Sequence, residues 1–118
     1  MKRKTQRVSI VQDVGMLHNC KVTRVVDADT FKGTVCLDFG VTIAVTVRLF
    51  DCDAWEMHGD DKKRGEEAKD YVEGLIGGAN VIIDPHKQDS FGRWLCEVLI
   101  KGRSLNSILA EKGYLKSK

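Results

Sequence analysis

The chain has 118 residues, of which 42% are hydrophobic and 31% are charged, a balance typical of one soluble globular domain. No apolar run approaches the length of a membrane span, so we expect no membrane partner. The net charge is +2, but residues 1–7 hold four basic groups, and from residue 8 onward 15 basic residues stand against 17 acidic ones. A module that held nucleic acid by bulk charge alone would be more basic. The acidic residues need an explanation, and a bound cation is one candidate.

Residues 1–7 are predicted to form a flexible basic tail, and residues 8–118 a single domain. The basic start is similar to the first part of a signal peptide. However, Gln12 and Asp13 interrupt the apolar stretch behind it, and no small-residue cleavage site follows. We therefore expect an intracellular protein, unless a longer precursor has lost an export signal.

The cysteines are widely spaced and form no C-x-x-C pair, which argues against a cysteine-based zinc site. Cys36 and Cys96 lie in strand-like runs, where a free cysteine behaves as a small hydrophobic residue. Without an export signal, reduced thiols in the core are favoured over disulfides.

The first half of the sequence predicts three strands. Residues 20–26 are β-prone and end at Asp27-Ala28-Asp29, residues 30–37 follow, and Asp38-Phe39-Gly40 supplies a hairpin turn. Residues 41–50 then alternate strictly, which places Arg48 on the polar face. The opposite, apolar face is predicted to hold Val41, Ile43, Val45, Val47 and Leu49.

The second half switches to helical periodicity over residues 65–76, with an apolar stripe that ends at Gly77-Gly78. Two further strands, residues 80–84 and 94–101, are joined by a polar loop, and a short last helix is capped by Ser104. This order predicts a five-stranded OB-fold Greek-key barrel with a helix between strands three and four and a short C-terminal helix. A small α+β domain with an open antiparallel sheet is the alternative. The helical stripe consists of Ala68, Tyr71, Val72, Leu75 and Ile76.

Polar residues with related chemistry lie at several of the predicted turns. Hard carboxylate oxygens suit calcium or magnesium rather than a transition metal. The planar guanidinium of Arg48, and that of Arg93 at the head of a strand, can bind phosphate oxygens in two places at once. A divalent cation beside two arginines is a combination suited to cleaving a phosphodiester. The carboxylates concerned are Asp27, Asp29, Asp51, Asp53 and Glu56.

Each of these residues also has an ordinary interpretation. An Asp-x-Asp cluster is usually a turn former, and the other carboxylates are compatible with solvated loop positions. Arg48 is compatible with a surface pair to Glu97 across the sheet, worth under ~1 kcal/mol. His18, His58 and His86 lie far apart without ligand-like spacing, and we assign them no role. Trp94 is expected in the core or at the barrel rim.

Taken together, the motifs resemble the staphylococcal nuclease (thermonuclease) family. They occur in the family's order from about residue 17 to residue 115, and the spacing of Arg48, Asp53 and Glu56 matches the family pattern. So does the interval from Arg93 to Asn106. The segments that resemble it are VVDADT at 25–30, VRLFDCDAWE at 47–56, GEEA at 65–68, DSFGR at 89–93, and Leu105-Asn106 through Gly113.

The resemblance implies a calcium-dependent nuclease acting on DNA or RNA and leaving 3′-phosphates. It implies that Asp29, Asp53 and the backbone carbonyl of Ala54 bind Ca²⁺. It implies that Glu56 positions the attacking water, while Arg48 and Arg93 bind the phosphate and stabilise the transition state.

The sequence also departs from the family pattern. Trp55 replaces the usual proline, Ala28 replaces a glycine, and Phe91 replaces a tyrosine. The sequence ends soon after Gly113, before the family's third helix, so we expect weaker nucleotide binding and consider a homodimer through the surface left open. The alternative function is an inactive OB-fold module that binds single-stranded nucleic acid or protein.

Overall fold

The computed structural model describes residues 16–52, 54 and 62–115. These residues form six strands and two α-helices. They are β1 (His18–Asp27), β2 (Thr30–Cys36), β3 (Thr42–Leu49), α1 (Lys62–Ile76), β4 (Asn80–Gln88), β5 (Trp94–Ile100), β6 (Arg103–Ser104) and α2 (Leu105–Glu111). The predicted division at residue 7 lies outside the described residues and stays a prediction.

The strands close into a barrel. Antiparallel pairing gives the order β3-β2-β1-β4-β5, with the two-residue β6 added to β5. The two ends of this order, β3 and β5, are joined by a parallel pairing. In it, Val47, Arg48 and Leu49 of β3 match Trp94, Leu95 and Cys96 of β5. A five-stranded barrel closed in this way, with a helix between β3 and β4, is an OB fold. The predicted fold class is confirmed.

The core lies inside this barrel and beneath its two helices. Alternate residues of the strands point inward, as the two-residue period of a strand requires. The amphipathic helix α1 packs against β1, and α2 packs against β5. The largest fully buried side chains are Phe31, Leu49, Ile76, Leu105 and Leu109.

The residues predicted to end α1 and to cap the start of α2 do so. The buried side of α1 includes Ala68, Val72 and Ile76, and Gly78 ends the helix with a positive φ of 73°, a conformation that glycine adopts without strain. Ser104 caps α2 by accepting a hydrogen bond from the backbone N–H of Ser107. The boundary of α1 differs, since it begins at Lys62 rather than residue 65.

The apolar face predicted for β3 is only half buried. Val47 and Leu49 are in the core, whereas Val41 and Ile43 remain 47% and 42% exposed. The closing pairs with β5 begin at Val47, so the earlier part of β3 extends past the closed barrel. Alternation therefore identified the face correctly but not the length of it that the barrel covers.

The predicted polar loop at residues 85–93 is wrong in its first half, because β4 continues to Gln88. Pro85 has no N–H to donate to a ladder, and a strand interior normally excludes it. Here the β4–β5 register shifts between Pro85 and Lys87, which makes His86 the extra residue of a β-bulge. The strand therefore includes Pro85, and its register with β5 changes directly after it.

All four cysteines are free. Cys20, Cys52 and Cys96 are buried as expected, but Cys36 is exposed near the hairpin, so its assignment to the core was wrong. Burial raises the pKa of Cys20 to about 11 and that of Cys96 to about 12. Both thiols are therefore protonated at neutral pH.

Two glycines offer a matched test of this packing. A Cβ at Gly33 would lie 2.6 Å from Cys20 Sγ and 2.6 Å from the backbone oxygen of Lys21, whereas one at Gly74 would meet nothing within 4 Å. We expect Gly33→Ala to destabilise the fold by ~1–3 kcal/mol through overpacking. Gly74→Ala, at an exposed position in the last turn of α1, should stabilise it by no more than roughly 0.5–1 kcal/mol. Urea unfolding measures both, and a Gly33→Ala protein as stable as the parent would contradict the described core.

Candidate active site

The turn between β1 and β2 places Asp29 against the end of β3. The backbone oxygen of Asp29 accepts a hydrogen bond of 2.8 Å from the N–H of Leu49, which fixes the turn on the neighbouring strand. Its carboxylate receives three further donors. Thr30 Oγ1 lies 3.0 Å from Oδ1, and Oδ2 accepts from the Ala54 N–H at 3.2 Å and from Arg48 Nη1 at 3.0 Å.

Arg48 projects outward from β3, since its neighbours Val47 and Leu49 point into the core. Besides Asp29, its Nη1 donates to the backbone oxygen of Cys52 at 2.8 Å. One guanidinium therefore joins the β1–β2 turn to the segment that follows β3. The Arg48 side chain is 21% exposed, so solvent or a ligand can still reach it. The predicted alternative of an Arg48–Glu97 pair is wrong, because Glu97 lies beside His86 instead.

The Asp29 carboxylate fits a hard cation, but with a restriction. A carboxylate has about four lone-pair positions, and the described donors occupy two at Oδ2 and one at Oδ1. An ion can approach Oδ1 without displacing a donor, whereas binding at Oδ2 requires Arg48 or the Ala54 N–H to give way. Oxygen donors of this kind suit Ca²⁺.

Arg93 is held by its own turn. Asp89 Oδ2 accepts from Arg93 Nε at 2.8 Å, and Asp89 Oδ1 accepts from the backbone N–H groups of Phe91 and Arg93. The Arg93 guanidinium also lies over the Phe91 ring, 5.3 Å from its centroid. Among the described residues no acceptor contacts Arg93 Nη1 or Nη2, and its side chain is 33% exposed. Nη1 and Nη2, the outer fork of the guanidinium, are thus presented to solvent, while Nε is fixed by Asp89.

The barrel closure places the two arginines in one region. Arg48 pairs in register with Leu95 of β5, and Arg93 precedes Leu95 by two residues. At about 3.3 Å per residue, their backbones are separated by about 7 Å along the strand direction and by one strand spacing across it. Arg93 and Leu95 also lie on the same, outward side of the extended chain.

The structure thus brings Asp29, Arg48 and Ala54 into contact and leaves Arg93 on the adjoining strand. The remaining site predictions, Asp53 and Glu56, lie outside the described residues, as does Trp55. Their placement stays a prediction. Asp51 is exposed and has a positive φ of 57°, so the chain turns sharply directly after β3.

Asp89 positions Arg93, a role that was not predicted from the sequence. A local signal was present, because an aspartate often accepts a hydrogen bond from the backbone N–H two residues on, here that of Phe91. The missed role of Asn106 had no such signal. Its Nδ2 donates to the backbone oxygen of Phe50 at 2.9 Å, across 56 positions of sequence, and ties α2 to the segment after β3.

Comparison with known proteins gives one family. A model of that family, described as staphylococcal nuclease homologue, matches residues 46–117, more than half of the chain. The matched range includes Arg48 and Arg93 but begins after Asp29. No curated protein matches the chain. Within the described part of the chain, neither helix has the length and apolar character needed to cross a membrane.

The Asp89–Arg93 contact predicts a titration. Partial burial raises the pKa of Asp89, but hydrogen bonds from the Arg93 amide and guanidinium and the Phe91 amide outweigh it, and the net pKa is lowered from 3.8. A carboxylate with a lowered pKa stabilises the fold above its unfolded pKa, and this contribution is lost as the pH falls through the lowered value. In Arg93→Gln we expect the pKa of Asp89 to rise toward 3.8, as measured by carbon NMR of its carboxyl group. Arg103→Gln, which breaks only the exposed pair with Glu111, should leave it unchanged, and an unmoved pKa in Arg93→Gln would contradict the pairing.

Proposed function

Because the chain belongs to the staphylococcal nuclease homologue family, we propose that it is a calcium-dependent phosphodiesterase that hydrolyses DNA or RNA and leaves 3′-phosphates. The observation that supports this most directly is the contact of Asp29 with Arg48 and the Ala54 N–H. Two parts of the chain that are distant in sequence meet there, the β1–β2 turn and the end of β3 with the residues that follow it. They bring together a carboxylate and a guanidinium, groups that phosphodiester chemistry uses.

In this proposal Asp29, Asp53 and the carbonyl of Ala54 hold the cation. When bound, Ca²⁺ polarises a phosphoryl oxygen and offsets negative charge on the phosphate. Glu56 accepts a hydrogen bond from the attacking water and takes up its proton. The leaving group is the 5′-oxygen, so the phosphate stays on the 3′ side of the cleaved bond.

The two arginines bind the phosphate in different ways. Arg93 has its Nε anchored on Asp89 while Nη1 and Nη2 point outward, an arrangement that suits a bidentate contact with two phosphate oxygens. Arg48 must share its guanidinium with Asp29. If the Asp29 carboxylate turned toward a bound cation, this pair would weaken, and Arg48 would have more freedom to contact the substrate.

Removing the outer fork of Arg93 tests the proposal. We expect Arg93→Ala to lower kcat by roughly 100- to 1000-fold, because a donor to the developing negative charge is lost. Arg103→Ala is the matched control, since Arg103 is an exposed arginine of β6, paired with Glu111 and lying next to the far end of β5. Cleavage of labelled single-stranded DNA in calcium, followed by identification of the product ends, measures the effect. Equal losses in the two variants would reject the role of Arg93.

Two further experiments distinguish an active enzyme from a contaminating nuclease and from a module that only binds nucleic acid. Cleavage should stop when calcium is removed by a chelator, and Glu56→Gln should abolish most of the activity while leaving the unfolding transition unchanged. Calcium-dependent cleavage that persists at full rate in Glu56→Gln, or an absence of cleavage in the parent protein, would overturn the proposed reaction.

A second function is an OB-fold module that binds single-stranded nucleic acid without cleaving it. The observation that favours it is Phe91, which is 82% exposed and carries the Arg93 guanidinium against its ring. An exposed aromatic ring beside a cation is suited to stacking on a base next to its phosphate. Tight binding of an oligonucleotide in the presence of chelator, with no turnover after calcium is added, would favour this function. The homodimer stays a prediction under either function.

A further inference from the structure

A second cluster of ligand-type side chains lies on the outer surface of β4 and β5. Asp84 and Glu97 are direct partners in the β4–β5 register, so their side chains emerge on the same side of the sheet. His86, the extra residue of the bulge, joins them. One potential ligand atom from each of the three residues lies within 4.8 Å of the others.

This cluster contains a polar atom that the described residues do not satisfy. Asp84 Oδ1 is shielded from solvent and has no hydrogen-bond partner there. A buried acceptor without a donor is costly, and two carboxylates directly opposite each other on a sheet repel. His86 Nε2 is 3.6 Å from Glu97 Oε2, too far for a good hydrogen bond. A positive partner at the centre of the three would remove both penalties.

The imidazole is already held in place. Its ring stacks parallel on that of Phe50, with 4.1 Å between the ring centroids. Phe50 is itself fixed at both backbone groups, since its N–H donates to the oxygen of Cys96 at 2.8 Å and its oxygen accepts from Asn106. Fixing a histidine before the metal arrives lowers the entropy cost of binding, as supporting contacts do at metal sites.

We propose that Asp84, His86 and Glu97 form a binding site for a divalent transition metal such as Zn²⁺. One imidazole nitrogen and two carboxylates are a donor set that zinc accepts, with water in the remaining position. Calcium prefers a shell made of oxygen alone, and imidazole nitrogen shifts the preference toward transition metals. The site shares no residue with the proposed calcium set of Asp29, Asp53 and Ala54, so it is independent of the proposed function.

The sequence did not indicate this site. Asp84 and His86 are two residues apart on β4, but a bulge separates their register, and Glu97 comes from the next strand and was considered only as an alternative partner of Arg48. The predicted loop over residues 85–93 also removed His86 from the sheet. The site depends on β4 continuing through Pro85.

Direct zinc binding tests the proposal, with Cys36→Ser as the parent because Cys36 is an exposed thiol that would compete for the metal. Titration against a chromophoric zinc chelator should give one Zn²⁺ per chain with micromolar affinity, undiminished by excess Ca²⁺. His86→Asn and Glu97→Gln should each weaken this affinity by at least about tenfold, since even residues that only support a ligand contribute that much. Glu73→Gln, at an exposed position of α1, is the matched control and should leave it unchanged.

Cobalt gives a readout that does not depend on the variants folding. Co²⁺ bound to the parent should show visible d–d absorption without a thiolate charge-transfer band, and excess Zn²⁺ should abolish it. Saturable binding that survives both His86→Asn and Glu97→Gln, cobalt coordination by sulfur, or no saturable binding at all would overturn the proposal.

Discussion

Three residue pairs hold the rest of the structure in place, those of Val47, Arg48 and Leu49 with Trp94, Leu95 and Cys96. They are parallel and join strands that are nearly fifty positions apart, so the entropy of a long loop opposes their formation. Of their inward members, Val47, Leu49 and Cys96 are buried and Trp94 is partly buried against the core, and it is this burial that stabilises the contact. The outward members are polar or half exposed. The same short contact that closes the core therefore arranges the outer surface.

On that outer surface, each of the two arginines proposed to bind phosphate has an aspartate partner. Asp29 accepts from Arg48 and Asp89 accepts from Arg93, which limits the conformational freedom of two long side chains before any phosphate is present. Preorganisation of this kind lowers the cost of binding, but the partner carboxylates also reduce the net positive charge. Asp29 and Asp89 are two of the 17 acidic residues that make the chain slightly acidic beyond its basic N-terminus, and a bound cation is one way to restore a field that attracts a polyanion.

Phe50 connects the contact between Asp29 and Arg48 with the cluster of Asp84, His86 and Glu97. Its ring stacks on His86, while the backbone that follows it supplies the Cys52 oxygen to Arg48 and the Ala54 N–H to Asp29. Asn106 holds the same segment from the side of α2. The described residues Phe50, Cys52 and Ala54 are therefore held by contacts with β5, with α2, with the Arg48 guanidinium and with the Asp29 carboxylate, although they lie outside the named strands and helices.

Local pattern in the sequence determined a large part of this protein. The order of strands and helices, the apolar stripe of α1, the Ser104 cap and the outward placement of Arg48 all follow from periodicities and capping rules that act over a few residues. The grouping of Arg48, Asp53 and Glu56 in one motif, and its resemblance to a family, also came from the sequence alone.

Tertiary structure decided which of these residues meet. Periodicity fixes the side of a strand on which a residue lies, but the register between distant strands fixes its neighbours. For this reason the sequence left open whether Arg48 pairs with Glu97 or elsewhere, overestimated the burial of Val41 and Ile43, and did not bring His86 beside Asp84. The continuation of β4 through Pro85 depends on a bulge against β5, and only the closed barrel supplies the neighbouring strand that such a bulge requires.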